Sequence, residues 1–154
     1  MERCFTMTTV KSFILLCLGT ILCINSATAE HQLVLVADAS SPLQHLNSLE
    51  LRKIYLGFPV KRDGKLVKGL RNTHDEQLNE IFLQTVVAMS EKSYTRMLLS
   101  RALRHGIPRP AEFDDPDNLL NALSSNPYSV TYVWKETADR TSNVKILGIL
   151  WQHD

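Results

Sequence analysis

The stretch 33-LVLVAD-38 constrains this chain more than any other. An extended segment turns alternate side chains to opposite faces, so an apolar run without alternation leaves neither face for water. The run is rich in β-branched residues and reads as a strand buried on both sides. A strand of that kind needs a covering layer on each face, and helices are the usual cover. The chain has 154 residues, a length suited to one domain.

The segments that follow supply such a cover. Residues 39-ASSPLQHL-46 form a loop around Pro42. Asn47 caps a helix, Glu50 completes a capping box three residues on, and Gly57 ends it. Leu51, Ile54 and Tyr55 form its buried stripe. A turn at 63-DG-64 precedes a second strand near 65-KLVKGL-70. The stretch 69-GLRNTHDEQLNEIF-82 then opens the longest predicted helix, whose core stripe is Leu78, Ile81, Phe82, Thr85, Val86 and Met89. A third helix spans about Glu91 to His105 and stops at Gly106, with Pro108 and Pro110 beyond. Asp115 caps a fourth, with Pro116 in the favoured first position. Strands follow at 129-SVTYVW-134 and 144-VKILGIL-150. The pattern predicts an α/β fold, a small, largely parallel sheet flanked by helices.

The amino-terminal segment reads differently. Lys11 precedes the apolar run 13-FILLCLGTILCI-24, and 25-NSATA-29 offers small residues for cleavage before Glu30. This is the pattern of a secretory signal peptide, too short to span a membrane. We therefore expect a signal at 1–29, a domain at 30–154, a periplasmic or secreted location, and no stable membrane insertion after cleavage. Met7 offers a second start with a tidier basic region. Cys4, Cys17 and Cys23 all lie in or before this segment. Leu16 and Leu22 precede the latter two, which does not suit lipidation. The remaining chain has no thiol for a disulfide, a cysteine nucleophile or a cysteine-ligated metal. Removing 1–29 also takes away Arg3, Lys11 and Glu2, leaving basic and acidic residues equal in number. That balance does not suit a nucleic-acid binder driven by charge.

Two segments carry a family resemblance. The line 33-LVLVADASSPLQHLNSLELRKIYLG-57 resembles the "strand, N-P, loop, S/T-L-x-x-L-R-x-I-F/Y-x-G" segment of phosphate-type ABC-transporter solute-binding proteins. The matching residues are Pro42, Leu46, Leu49, Leu51, Arg52, Ile54, Tyr55, Leu56 and Gly57. Downstream, 126-NPYSVTYV-133 is similar to the family's N-P-G-A-I-G-Y-V. The resemblance implies a bacterial type 2 periplasmic-binding-protein fold, here as one reduced lobe, and an oxyanion such as phosphate as ligand. The family's second clamp reads R-x-x-x-S-G-T at a helix start. Arg71 fits it and Thr73 supplies a hydroxyl, so these two are the candidate ligand-binding residues. Asp75 and Glu76 stand where the S-G-T would begin, and Tyr128 and Thr131 replace the glycines of the other motif. The family's early hydroxyl-rich loop has no counterpart, since Ser40 and Ser41 match a segment that does not touch ligand.

Residue chemistry leaves two uses for the Arg71 stretch. A helix N-terminus attracts anions through its free N–H groups and dipole. Thr73 and Glu76 have capping-box spacing, however, which would consume those donors and set a negative charge beside them. Elsewhere, Arg101, Arg104 and His105, with Arg109 soon after, suit either an anionic partner or a solvated helix end. Asp114, Asp115 and Asp117 fit capping better than calcium. The five histidines show no metal spacing, and no nucleophile elbow, P-loop or paired-carboxylate signature appears. The expectation is thus a non-catalytic, extracytoplasmic solute-binding-like module of phosphate uptake or sensing, without cofactor or metal. The alternative is a ligand-free module that docks on an envelope sensor or transporter.

Overall fold

The computed structural model describes residues 31–152, so the expected signal segment and its cysteines lie outside the described residues. Among the described residues, seven strands and five α-helices follow one another. Strand β1 is Gln32–Asp38, helix α1 Ser48–Tyr55, and β2 (Lys61–Arg62) and β3 (Lys65–Leu66) form a separate hairpin. Next come β4 (Lys68–Asn72), α2 (Glu76–Phe82), a π turn at Leu83–Val87, and α3 (Glu91–His105). The chain closes with β5 (Ala111–Phe113), α4 (Pro116–Ser124), β6 (Ser129–Trp134), α5 (Lys135–Arg140) and β7 (Val144–Gln152).

Five strands make one sheet in the order β5-β4-β6-β1-β7. β4 pairs in parallel with β5 and β6, whereas β1 pairs antiparallel with both β6 and β7. Four strands therefore point one way and β1 alone runs against them. The architecture is an α/β sheet flanked by helices, as the sequence pattern predicts.

The apolar run that opens the domain divides between two cores. Leu33, Leu35 and Ala37 join Tyr55, Phe82, Tyr94 and Tyr132 on one face. Val34 and Val36 join Leu119, Leu123 and Ala138 on the other. Burial on both faces is what an unalternated strand requires. Helix α1 begins as expected, with Asn47 and Glu50 in a reciprocal capping box, and Gly57 follows it at φ 77°. A positive φ suits glycine, which lacks the Cβ that would crowd there. Ser90 caps α3, and Gly106 ends it at φ 63°. Asp115 caps α4 with Pro116 inside its first turn.

Three local expectations need correction. The strand expected near 65–70 is two pieces: a hairpin turning through Asp63 and Gly64, both at positive φ, and then β4. The helix expected from the 69–82 stretch begins only at Glu76, so Gly69–Asn72 is strand, and α3 is the longest helix among the described residues. The helical stripe also breaks, because the π turn inserts a residue and rotates the buried face. Leu83 and Val87 go inward, and Thr85 is exposed with its hydroxyl donating to the Ile81 carbonyl at 2.7 Å. Short β5 and α5 carry too little pattern to read from sequence.

Gly69 sets how closely β4 approaches α1. A Cβ there would lie 2.8 Å from Tyr55 Cε1 and 3.0 Å from Ile54 Cγ2. The tyrosine ring cannot step aside, because its hydroxyl donates to the Leu70 and Val130 carbonyls at 3.2 and 3.4 Å. Gly69→Ala is therefore expected to destabilise the fold by about 1–3 kcal/mol through overpacking. A urea-unfolding midpoint unchanged from the parent would refute this.

Candidate functional site

Strands β4, β5 and β6 run in parallel and end near Asn72, Phe113 and Trp134. Open α/β sheets bind ligands beyond the carboxyl ends of such strands. Arg71 is the penultimate residue of β4 and is only 1% exposed. It reaches a strand position, not a helix start, because the ladder to β5 pairs Arg71 with Glu112.

A buried guanidinium must be paired, since transfer of an unpartnered charge from water is very costly. Arg71 Nη1 donates to Glu112 Oε1 at 2.6 Å. Its Nη2 donates to Asn79 Oδ1 at 2.9 Å and to Glu91 Oε2 at 3.2 Å. The guanidinium also lies 5.0 Å from the centroid of the Tyr94 ring. Burial works against the charged form, but the Glu112 and Glu91 carboxylates outweigh it and hold the pKa above its ordinary value. Nε alone is buried without a partner. The carboxylates differ from the arginine in one respect: both Glu91 and Glu112 side chains are 52% exposed. They reach in from solvent and close over a cation that solvent cannot reach.

Burial raises the hydroxyl pKa of Tyr55, Tyr94 and Tyr132 beside this centre, so all three stay neutral donors. Tyr94 donates to the Tyr55 carbonyl at 2.7 Å and Tyr132 to the Asn72 carbonyl at 3.2 Å. Phe82 stacks on Tyr132 with centroids 3.9 Å apart. Tyr132 and Asn79 are thus part of the Arg71 surroundings, as are Glu91 and Glu112. Sequence reading missed all four, because they come from β6, α2, α3 and β5 and share no local pattern.

Thr73 sits apart from this cluster in its bonding. Its N–H and its hydroxyl both donate to the Phe113 carbonyl, at 2.8 and 3.1 Å. No hydrogen-bond partner is common to Thr73 and Arg71 among the described residues. Nor does Thr73 cap α2. Asp75 does, accepting from the Leu78 N–H at 3.0 Å with one oxygen and from Trp134 Nε1 at 2.8 Å with the other. The Thr73–Glu76 capping box is therefore replaced by an Asp75 cap. The reason is tertiary: Thr73 is still tied to β5, so the backbone turns into helix only after it.

The other candidates separate. Arg101 lies over the Phe58 ring, 3.8 Å from its centroid, whereas Arg104 and His105 are exposed. Asp115 is spent on its cap. No group of three or more histidine, cysteine or acidic residues that could hold a metal occurs among the described residues. No helix there is long and apolar enough to cross a membrane. The loop around Pro42 meets the second resemblance segment, with Ser41 Oγ donating to the Pro127 carbonyl.

No protein-family model matches the sequence, and no curated protein matches it. The fold is similar to the crystal structure of an ABC-type phosphate transport receptor from Vibrio cholerae, with a TM-score of 0.57 and 12% identity. The likeness covers 77% of this chain and 46% of that one. The chain therefore has a periplasmic-binding-protein-like fold and spans less than half the length of that receptor.

The Asp75 cap gives the site a pH signature. Burial pushes its pKa up, but the hydrogen bonds from Leu78 and Trp134 more than offset this, and the net shift is downward. A carboxylate depressed in the folded state contributes stability above its unfolded pKa, near 4, and loses it as pH falls through the folded value. Asn caps helices about as well as Asp. Asp75→Asn should thus flatten the loss of stability between about pH 5 and pH 3 while keeping α2. Parallel acid limbs for parent and variant, followed by urea midpoints, would count against this account.

Proposed function

We propose that this chain is an exported, non-catalytic module of solute-binding-protein type, serving phosphate or another oxyanion in uptake or sensing. The carrying observation is Arg71, a buried cation at the carboxyl ends of parallel strands whose neighbours are two half-exposed carboxylates. Those carboxylates occupy the guanidinium as an oxyanion would, with planar oxygens in charge-assisted hydrogen bonds. The fold shared with a phosphate transport receptor and the signal-like first 29 residues support the same reading. Thr73 would join as a hydroxyl contact if its bond to Phe113 opened.

An entering anion must displace Glu112 and Glu91, so binding to the native chain is weak. One lobe also leaves a ligand partly wet, which lowers affinity further. The same internal pairing favours a second reading: the lobe holds no free ligand, and works by docking on an envelope sensor or transporter.

Calorimetric titration with inorganic phosphate separates the two. The parent is expected to bind with Kd on the order of 1 mM. Glu91→Gln with Glu112→Gln removes two like charges and should tighten binding at least about tenfold. Adding Arg71→Met to that pair should abolish it, with melting curves confirming a folded protein. Absence of heat in both the parent and the double variant at millimolar phosphate would overturn the oxyanion reading and leave docking.

A further inference from the structure

A groove on another part of the surface has the makings of a docking site. It lies between the end of α1, the β2–β3 hairpin and the segment joining α3 to β5, and encloses about 540 Å³. Its walls are apolar, with Ile54, Phe58, Leu66, Ile107 and Pro110 among them. Phe58 is 42% and Leu66 45% exposed, although both are large hydrophobic side chains. Exposed apolar surface gathered in one concavity, and rimmed by polar groups, marks an interaction site more often than scattered apolar residues do.

Two observations say what covers it. The charged residues lining the groove are Lys68 and Arg109, both basic and both exposed. Neither side chain makes an ion pair or hydrogen bond among the described residues. Arg101 is stacked on Phe58, one of the lining residues, with its Nε buried and unpartnered. The charges lining the groove are therefore all positive, in a domain whose basic and acidic residues are equal in number overall. Secondly, the groove takes in Ala111 of β5, which is the outermost strand of the sheet and among the described residues pairs only with β4. An outermost strand can accept one more, and extended peptides use such edges for main-chain hydrogen bonds while neighbouring pockets take their side chains.

We infer that this groove binds an extended, apolar segment of a partner protein that carries carboxylate side chains. The segment lies along the groove, sets its apolar residues against Phe58, Leu66 and Ile107, and directs its carboxylates to Lys68 and Arg109. This rests on the docking reading above only in taking the partner to be a protein. The groove does not use Arg71, so a failed phosphate titration leaves it intact, and its own failure leaves the phosphate experiment intact.

The test is selection from a random linear peptide library on the immobilised chain, followed by fluorescence anisotropy with the selected peptides. Enrichment of Asp or Glu interspersed with Val, Ile or Phe is expected. Lys68→Glu with Arg109→Glu should weaken those peptides at least about tenfold, as should Leu66→Asp. Neither change touches the core, and unchanged melting curves verify that. Raising salt should weaken binding as well, because exposed charges are screened. Failure to select any peptide, selection of basic or uncharged peptides, or equal binding to the Lys68/Arg109 variant would each overturn the inference.

Discussion

One buried positive charge organises the end of the sheet where the candidate site lies. Arg71 could not be placed in this interior without counter-ions, and its partners come from separate elements. Glu112 belongs to β5, Asn79 to α2 and Glu91 to the first turn of α3. Glu91 lies one residue after the Ser90 cap, where a carboxylate also suits the helix dipole. Pairing Arg71 therefore docks two helices and an edge strand onto β4 at once. On the proposed oxyanion reading, an entering anion would first have to displace these two carboxylates.

The aromatic layer behind Arg71 makes this arrangement rigid. The Tyr55, Tyr94 and Tyr132 hydroxyls all donate to main-chain carbonyls, which lets polar tips lie in the core without loss. Tyr55 packs edge-on against Phe82, with centroids 4.6 Å apart, and Phe82 stacks on Tyr132. Gly69 is the one β4 position where Tyr55 would leave no room for a side chain. Arg71 is thus presented by a strand held at close range. The two half-exposed glutamates are its only charged partners in contact with solvent among the described residues.

Much of the fold could be read locally. Asn47 with Glu50, Asp115 with Pro116, Gly57 and Gly106 all act within a few residues of themselves, so their roles survive any change of context. Reading failed where a long-range bond competed with a local preference. Thr73 and Glu76 have the spacing of a cap, yet Thr73 is claimed by Phe113, a residue brought near only by β5. The stripe through Thr85 and Met89 assumed a uniform helix, and the π turn invalidated that assumption. The site showed the same division: Arg71 was recognisable as an arginine in a suggestive motif, but nothing local marked Glu112 or Glu91 as its partners.

By itself, then, the sequence determined that β1 would be buried on both faces, that helices would flank a sheet, where α1, α3 and α4 would begin, and where α1 and α3 would end. These follow from periodicity, capping and glycine conformation, all short-range properties of the chain. Only the tertiary structure decided that Arg71 lies on a strand and not at a helix start, that two carboxylates close over it, and that Lys68 and Arg109 line one groove. Those outcomes depend on pairing a buried charge and on strand order. Both bring together residues far apart in sequence, and no local spacing encodes them.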